Sequence, residues 1–397
     1  MRRVALLALL AALAIGAPPA GAAEGQWRSE QPLGPSGLPV PLGPIGDIEF
    51  WAPNRGLLIS AGNASMPAGL YAYDGERWYL YSTVCGGSEG RIAWVGPSEF
   101  WTISDVATGQ EEFRAGEGTP YGRSLCHFKG GQVIASYAEP LSTPTTYPTL
   151  RAAACAGPSD CWFAGERLPE GSANAGAFHL HWDGSALSEL PSRTQEGGGG
   201  PPRRVEDLAF HAGQLYESVR VQPSDGAIEG EPDPKQPSFL HRIEPGAASP
   251  FVQLFTAEPL AYGATATASE LAHLRFAGDG EALVALAGAL GAAARPAMLR
   301  YEEESGAFAQ VPLTSPSGAE PAPGEALGPA DRVQGVAAEP GAQSLWVSFR
   351  HASEEETAST SPARLARVDL GGQGQLLLLG ALLIVAAAFA PWATAAT

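Results

Sequence analysis

Apolar residues recur along the chain in runs of four to six, cut off each time by Gly, Pro, Asp or Asn, too short for helices and right for strands. Six stretches share one pattern of apolar strand, turn and second apolar strand: Ile48–Leu57, Ile92–Trp101, Ala153–Trp162, Leu208–Tyr216, Leu274–Leu283 and Val336–Val347. A second strand or hairpin follows each, at Leu70–Tyr79, Leu125–Val133, Phe178–Leu187, Phe239–Ile243, Met298–Tyr301 and Leu365–Val368. Asp74-Gly75, Gly130-Gly131 and Asp183-Gly184 are tight-turn pairs whose glycines accept positive φ.

Two hairpins in succession make a four-stranded antiparallel unit. Successive units start 44 to 66 residues apart; a propeller blade needs about 40–50, so the excess falls in loops. The pattern predicts an all-β, six-bladed β-propeller. Polar insertions at Gly109–Gly122, Gly165–Gly176, Pro223–Pro237 and Ala352–Ser361 sit at one place in the repeat and should project from one face. The Gly197–Pro202 run reads as a link between the third and fourth units, because the repeat continues across it.

The sixth unit runs into Gly371-Gly372 without a fourth strand, while Trp27–Leu33 stands alone at the other end and matches the outer strand of the fifth unit, Phe308–Leu313. The N-terminal segment is therefore expected to pair antiparallel with Arg364–Val368 and close the ring.

Cys155-x5-Cys161-Trp162-x2-Gly165 followed by His181-Trp182-Asp183-Gly184 resembles the repeat of secreted actinobacterial β-propeller proteins. The likeness is strong over this one unit and only patterned elsewhere: the Trp that family carries after its Asp-Gly turn is Leu187 here and survives as Trp78 in the first unit. The resemblance implies a fold and an extracytoplasmic setting, and no particular activity.

The ends agree with export. Arg2-Arg3, the apolar Val4–Leu10 and the small residues Ala20–Ala23 read as a signal peptide over 1–23. Residues 24–370 form the propeller, 371–375 a Gly/Gln tether, and 376–397 a hydrophobic tail, expected to be a C-terminal hydrophobic helix acting as a membrane anchor. A cleaved sorting tail and a helix buried on the propeller are the other readings, since no Lys or Arg follows the run. Gly 49 and Pro 35 fit a turn-rich chain, and a net charge of −18 repels nucleic acid and anionic lipid surfaces alike.

Candidate chemistry is sparse. Four cysteines in an exported chain suit disulfides: Cys155 with Cys161 across a short turn, and Cys85 with Cys126 as a possible bridge from one unit to the next. His179 and His181 face one side of a strand, but His127 and His241 hold comparable places, which reads as a repeat position. The Glu302–Glu304 and Glu354–Glu356 runs are solvated loop charge, and Asn63-Ala64-Ser65 is a sequon of high chance frequency. No Gly-x-Ser-x-Gly elbow, phosphate loop, dinucleotide fingerprint or His-Glu-x-x-His occurs, so no catalytic, cofactor or metal residue is named. The expectation is an extracytoplasmic, membrane-tethered module that binds a protein or glycan ligand; a propeller glycan hydrolase or lyase and a structural cell-surface spacer are the alternatives. Aromatic and carboxylate side chains at the channel mouth would favour the enzyme, and Ala, Gly and Ser the binder.

Overall fold

The computed structural model describes residues 26–29, 43–63, 66–86, 90–104, 124–138, 148–167, 176–190, 203–221, 238–247, 250–257, 261–262, 265–266, 270–277, 282–288, 297–302, 307–311, 331–340, 344–351 and 364–369. The expected signal peptide, the expected tether and the tail expected to be helical lie outside these residues. Among the described residues there is no helix, and so none long and apolar enough to cross a membrane.

Among the described residues the strands make six four-stranded antiparallel sheets and one short ladder, β18 (Ala261–Tyr262) with β19 (Thr265–Ala266). The first sheet is β2 (Ile45–Ala52), β3 (Arg55–Ser60), β4 (Gly69–Tyr73) and β5 (Trp78–Ser82). The second is β6 (Arg91–Gly96), β7 (Glu99–Ser104), β8 (Ser124–Lys129) and β9 (Gln132–Ala138). The third is β10 (Pro148–Gly157), β11 (Asp160–Arg167), β12 (Gly176–Trp182) and β13 (Leu187–Leu190). The fourth is β14 (Arg203–His211), β15 (Gln214–Val221), β16 (Ser238–Ile243) and β17 (Phe251–Ala257). The fifth is β20 (Glu270–Ala277), β21 (Ala282–Gly288), β22 (Ala297–Glu302) and β23 (Ala307–Val311). The sixth orders β24 (Asp331–Ala338), β25 (Ser344–His351) and β26 (Arg364–Asp369) next to β1 (Gln26–Ser29). The first strand of each sheet touches the first strand of the next, and β24 touches β2. This is a β-propeller with the first strands innermost.

The N-terminal strand sits where the sixth unit lacked one. Gln26 pairs with Asp369 and Ser29 with Ala366, antiparallel, so the ladder lies at the C-terminal end of the segment expected to receive it. Residues 30–33 lie outside the described residues.

Neighbouring sheets are held together by side chains one row past each unit start. In the second sheet Ala93 pairs with Trp101; in the third Ala154 pairs with Trp162; in the sixth Ala337 pairs with Trp346. A small inner residue beside a buried Trp lets the ring fill the wedge between two sheets, which widens outward. Trp346 packs on Phe50 of the first sheet in a cluster that includes Ile48, Trp101 on Phe163 of the third in a cluster that includes Ala153, and Trp162 shares a cluster with Leu208 and Leu215 of the fourth. Leu57 and Ile59 play this part between the first sheet and Ile92 and Phe100 of the second.

Tight turns follow their sequence. Asp74 Oδ1 accepts the N–H groups of Glu76 and Arg77 at 3.0 and 2.9 Å, and Asp183 Oδ1 those of Ser185 and Ala186 at 2.8 Å. Gly75 (φ 102°) and Gly184 (φ 95°) take the left-handed residue each turn needs. The Ala186 N–H, the Ser185 hydroxyl and the Ser185 N–H hold Asp183 down to about 2, although its carboxylate is fully exposed.

Candidate functional site

Five of the six inner strands bulge near their start. The ladders break between Ile45 and Asp47, Leu150 and Ala152, Val205 and Asp207, Leu271 and His273, and Val333 and Gly335. A bulge turns the side chains beside it away from the regular ladder. The residues just before the six unit starts are Asp47, Arg91, Ala152, Asp207, His273 and Gly335. Those just after are Glu49, Ala93, Ala154, Ala209, Arg275 and Ala337. Small residues thus line much of the inner ring, and charges are set into it at a few places.

The two aspartates do the same work on different sheets. Asp47 Oδ2 accepts the N–H of Ile92 at 3.0 Å, joining the first sheet to the second. Asp207 Oδ2 accepts that of Leu274 at 3.0 Å, joining the fourth to the fifth. Arg275 then ties both pairs together. Its Nη1 donates to Asp207 Oδ2 at 2.6 Å, its Nη2 to Asp47 Oδ1 at 2.9 Å, and its Nε lies 2.8 Å from Glu49 Oε1. To reach the first sheet from the fifth, Arg275 must pass the sixth. That sheet has Gly335 there, where a Cβ would stand 3.4 Å from Asp47 Cα, and Ala337 beside it.

Three carboxylates against one contacting guanidinium cannot all ionise cheaply at low dielectric. Burial, then the repulsion of Asp47 and Asp207, raises Glu49 to about 8 against the attraction of Arg275. Burial raises Asp47 as well, with Arg275 and Arg91 opposing. Burial works against the charge of Arg275, but Asp207, Glu49 and Asp47 outweigh it and hold the guanidinium above its ordinary value. Glu49 is the member that keeps some contact with solvent, at 21% side-chain exposure. Arg91 Nη1 caps the carbonyls of Gly46 and Gly90 at 2.9 and 3.0 Å.

A second ionic group lies between the third and fourth sheets. Arg151, the extra residue of its bulge, meets Glu166 Oε1 through Nε at 3.0 Å and Nη2 at 2.9 Å. Glu206, the extra residue of the next bulge, takes Arg204 Nε at 2.6 Å and has Arg220 at 3.7 Å. Burial would raise Glu206, but Arg204, Arg220 and Arg151 overcome it and bring it to about 2.

Antiparallel order places this chemistry. The inner strand begins at the end of its sheet where the second strand hands over to the third. Every insertion singled out in the sequence belongs to that hand-over: 105–123 joins β7 to β8, 168–175 joins β11 to β12, 222–237 joins β15 to β16, and 352–363 joins β25 to β26. The inner-strand bulges, with Asp47, Arg151 and Glu206 in or beside them, therefore lie toward the end of the propeller that carries its long connections.

The cysteines pair as Cys155–Cys161, direct partners across the β10–β11 turn, and Cys85–Cys126, which ties the exit of the first sheet to the third strand of the second. The histidine reading is corrected in part. Register places His127 and His181 in the same row, each opposite a Trp, Trp101 and Trp162. His127 stacks on Trp101 at 4.1 Å and meets Glu99; His181 stacks on Trp162 at 4.4 Å and meets Asp160. Arg367 over Trp346, paired to Glu339, is the same arrangement in the sixth sheet. His241 and His179 fall in other rows and meet instead across a sheet boundary, on the two oxygens of buried Glu217 at 2.8 and 2.6 Å. Among the described residues no group of three His, Cys, Asp or Glu side chains is arranged to hold a metal ion.

Asp47, Glu49, Asp207 and Arg275 were not singled out by motif. The available signal was positional: an acid directly before the unit start in the first and fourth units, and charged residues directly after it in the first and fifth, where the other units carry Ala.

No family model matches the chain, and no curated protein matches it. Among solved structures, the β-propeller domain of Myceliophteria thermophila Cps50 (Swd1) is similar over 83% of this chain and 97% of that one, with 10% identity and a TM-score of 0.46. A Trypanosoma rangeli sialidase is similar over 91% of this chain and 60% of its own, at 11% identity and a TM-score of 0.49. The six-bladed propeller of the fungal aleuria aurantia lectin is similar over 70% of this chain and 80% of its own, at 13% identity and a TM-score of 0.40. These likenesses say nothing of a ligand or a reaction.

Proposed function

We propose that the chain is an extracytoplasmic six-bladed propeller, tethered to the membrane by its C-terminal tail, that binds a protein or glycan ligand at the end bearing its long connections. One observation carries the binding reading. The inner-ring carboxylates already spend their oxygens on the protein itself: Asp47 on Ile92 and Arg275, Asp207 on Leu274 and Arg275, Glu206 on Arg204. Glycan hydrolysis by the usual route needs two carboxyl groups flanking the scissile bond, one to donate a proton and one to act on the sugar or on water. Carboxylates locked to guanidinium and backbone groups build a rigid mouth and leave little for that task.

Glu49 is the observation that favours the enzymatic reading. It is half-buried, and held protonated to about pH 8 it has the proton a general acid requires. The two readings separate in one experiment. The full-length protein is titrated with a panel of soluble polysaccharides while reducing ends are assayed in the same samples. Binding with no new reducing ends, unchanged by Glu49→Gln, is the outcome expected. Release of reducing ends that Glu49→Gln abolishes would make it a hydrolase, and neither binding nor release would leave a glycan out of account.

A further inference from the structure

Among the described residues, the large apolar side chains that stand exposed are Tyr79, Leu80, Val133 and Ile134, at 45, 43, 36 and 53%. All four lie on the outer strands of two neighbouring sheets, β5 and β9. The two sheets adjoin near these strands: Tyr81 of β5 packs on Phe100 of β7 and Phe128 of β8, and a Cβ at Gly131, in the β8–β9 turn, would stand 3.6 Å from the Tyr81 hydroxyl. Arg77, just before β5, and Lys129, just before the β8–β9 turn, lie beside these strands with side chains 64 and 58% exposed, Arg77 3.8 Å from Asp74 and Lys129 2.8 Å from Glu99. The outer strand of the third sheet presents Ser188 and Glu189 instead, so exposed apolar surface is not a property of every rim.

An exposed outer strand invites either an added strand or a surface without directional bonding. Here both strands are irregular at the patch: the ladder skips Tyr81 between the Ser82 and Leu80 pairs, and skips Ile134 between the Val133 and Ala135 pairs. A bulge breaks the row of backbone groups an added strand would use, which disfavours a second copy pairing edge to edge. Position supplies the occupant. In each sheet the third strand ends, and the fourth begins, at the same end. Asp369 closes β26 at that end of the sixth sheet, beside the first sheet, whose β5 begins there with Trp78, Tyr79 and Leu80. Residues 370–375 then span at most about 20 Å when extended, before the apolar run that starts at Leu376.

We propose that this rim of the first and second sheets rests on the lipid bilayer that the tail enters. The Leu, Val and Ile side chains would dip to the acyl boundary, Tyr79 would sit at the headgroup level, and Arg77 and Lys129 would reach lipid phosphates. The inference rests on the reading of the tail as an anchor, and the test separates the two. All four native cysteines are paired, so a cysteine introduced at one exposed site can be labelled alone with an environment-sensitive fluorophore. Full-length Ile134→Cys, Leu80→Cys and, as a distant control, Ser188→Cys are reconstituted in phosphatidylcholine vesicles containing nitroxide-labelled lipid, and fold is checked by circular dichroism. The expected result is flotation of all three with the vesicles, and quenching at 134 and 80 about two-fold or more above that at 188. Flotation with equal quenching at all three sites overturns the seated rim and leaves the anchor standing. Failure to float overturns both.

Discussion

Replacing Arg275 by Met would leave Asp47, Glu49 and Asp207 clustered with no guanidinium in contact. Removing one partner from a buried ionic group costs about 3–5 kcal/mol, and that loss in urea unfolding is the outcome expected. The native network also gives a signed pH dependence. Glu49 holds its proton to about 8 in the folded chain, against an ordinary value near 4.5. Between these values the native state binds a proton the unfolded chain does not, so this group makes stability fall as pH rises through the window. Glu49→Gln should remove that slope, and an unchanged slope in urea midpoints from pH 5 to 8 would refute the assignment. Glu206 acts in the opposite sense: held at about 2, it contributes stability above the ordinary carboxylate range that is lost as pH falls toward 2. None of this was legible as a motif. Asp47 and Asp207 read in sequence as ordinary polar residues preceding a strand, because what gives them meaning is the bulge and the neighbouring sheet's N–H.

Strands, turns and unit boundaries were the most legible level. Ile48, Ile92, Ala153, Leu208, Leu274 and Val336 all fall at one structural position, the inner-strand residue flanked by the two charged or small ones. Period-2 patterning with Asp-Gly turns is local and survives in sequence. The stacked Trp–His–acid arrangement does not show that way, since its members come from second and third strands separated by long connections: Glu99 and Trp101 from His127, Asp160 and Trp162 from His181. Only Glu-x-Trp and Asp-x-Trp at equal places hint at it. The disulfides differ in kind. Cys155–Cys161 closes a tight turn and Cys85–Cys126 a loop with 41 residues of separation, for which the loop-entropy model gives about 2 and about 4 kcal/mol respectively. Paired Cys→Ala substitutions should rank the same way in thermal midpoint, with the Cys85/Cys126 variant the less stable; the reverse order would mean that strain or unfolded-state structure dominates.

The described sheets form a ring, and it closes where the first and last strands of the propeller meet. Nothing local in Gln26–Ser29 marks it as part of the sixth sheet; its place was legible only because that unit counted one strand short. The structure pairs it with Ala366–Asp369, across more than three hundred residues of chain. Such a ladder costs closure entropy that no local contact offsets, which makes it a late step in folding by the contact-order argument. It then acts as a clasp: opening it exposes the edge of β26 and frees the sixth sheet from the chain's other end. Deleting residues 24–33 should therefore lower the thermal midpoint of the whole propeller in a single transition, by about 5 °C or more. Appending the same segment after residue 370 through a short turn should restore much of the loss, because the strand then pairs with β26 as an ordinary hairpin. Recovery in that permuted chain would assign the effect to the clasp. A deletion that leaves the midpoint unchanged would show that the sixth sheet holds the ring closed with three strands alone.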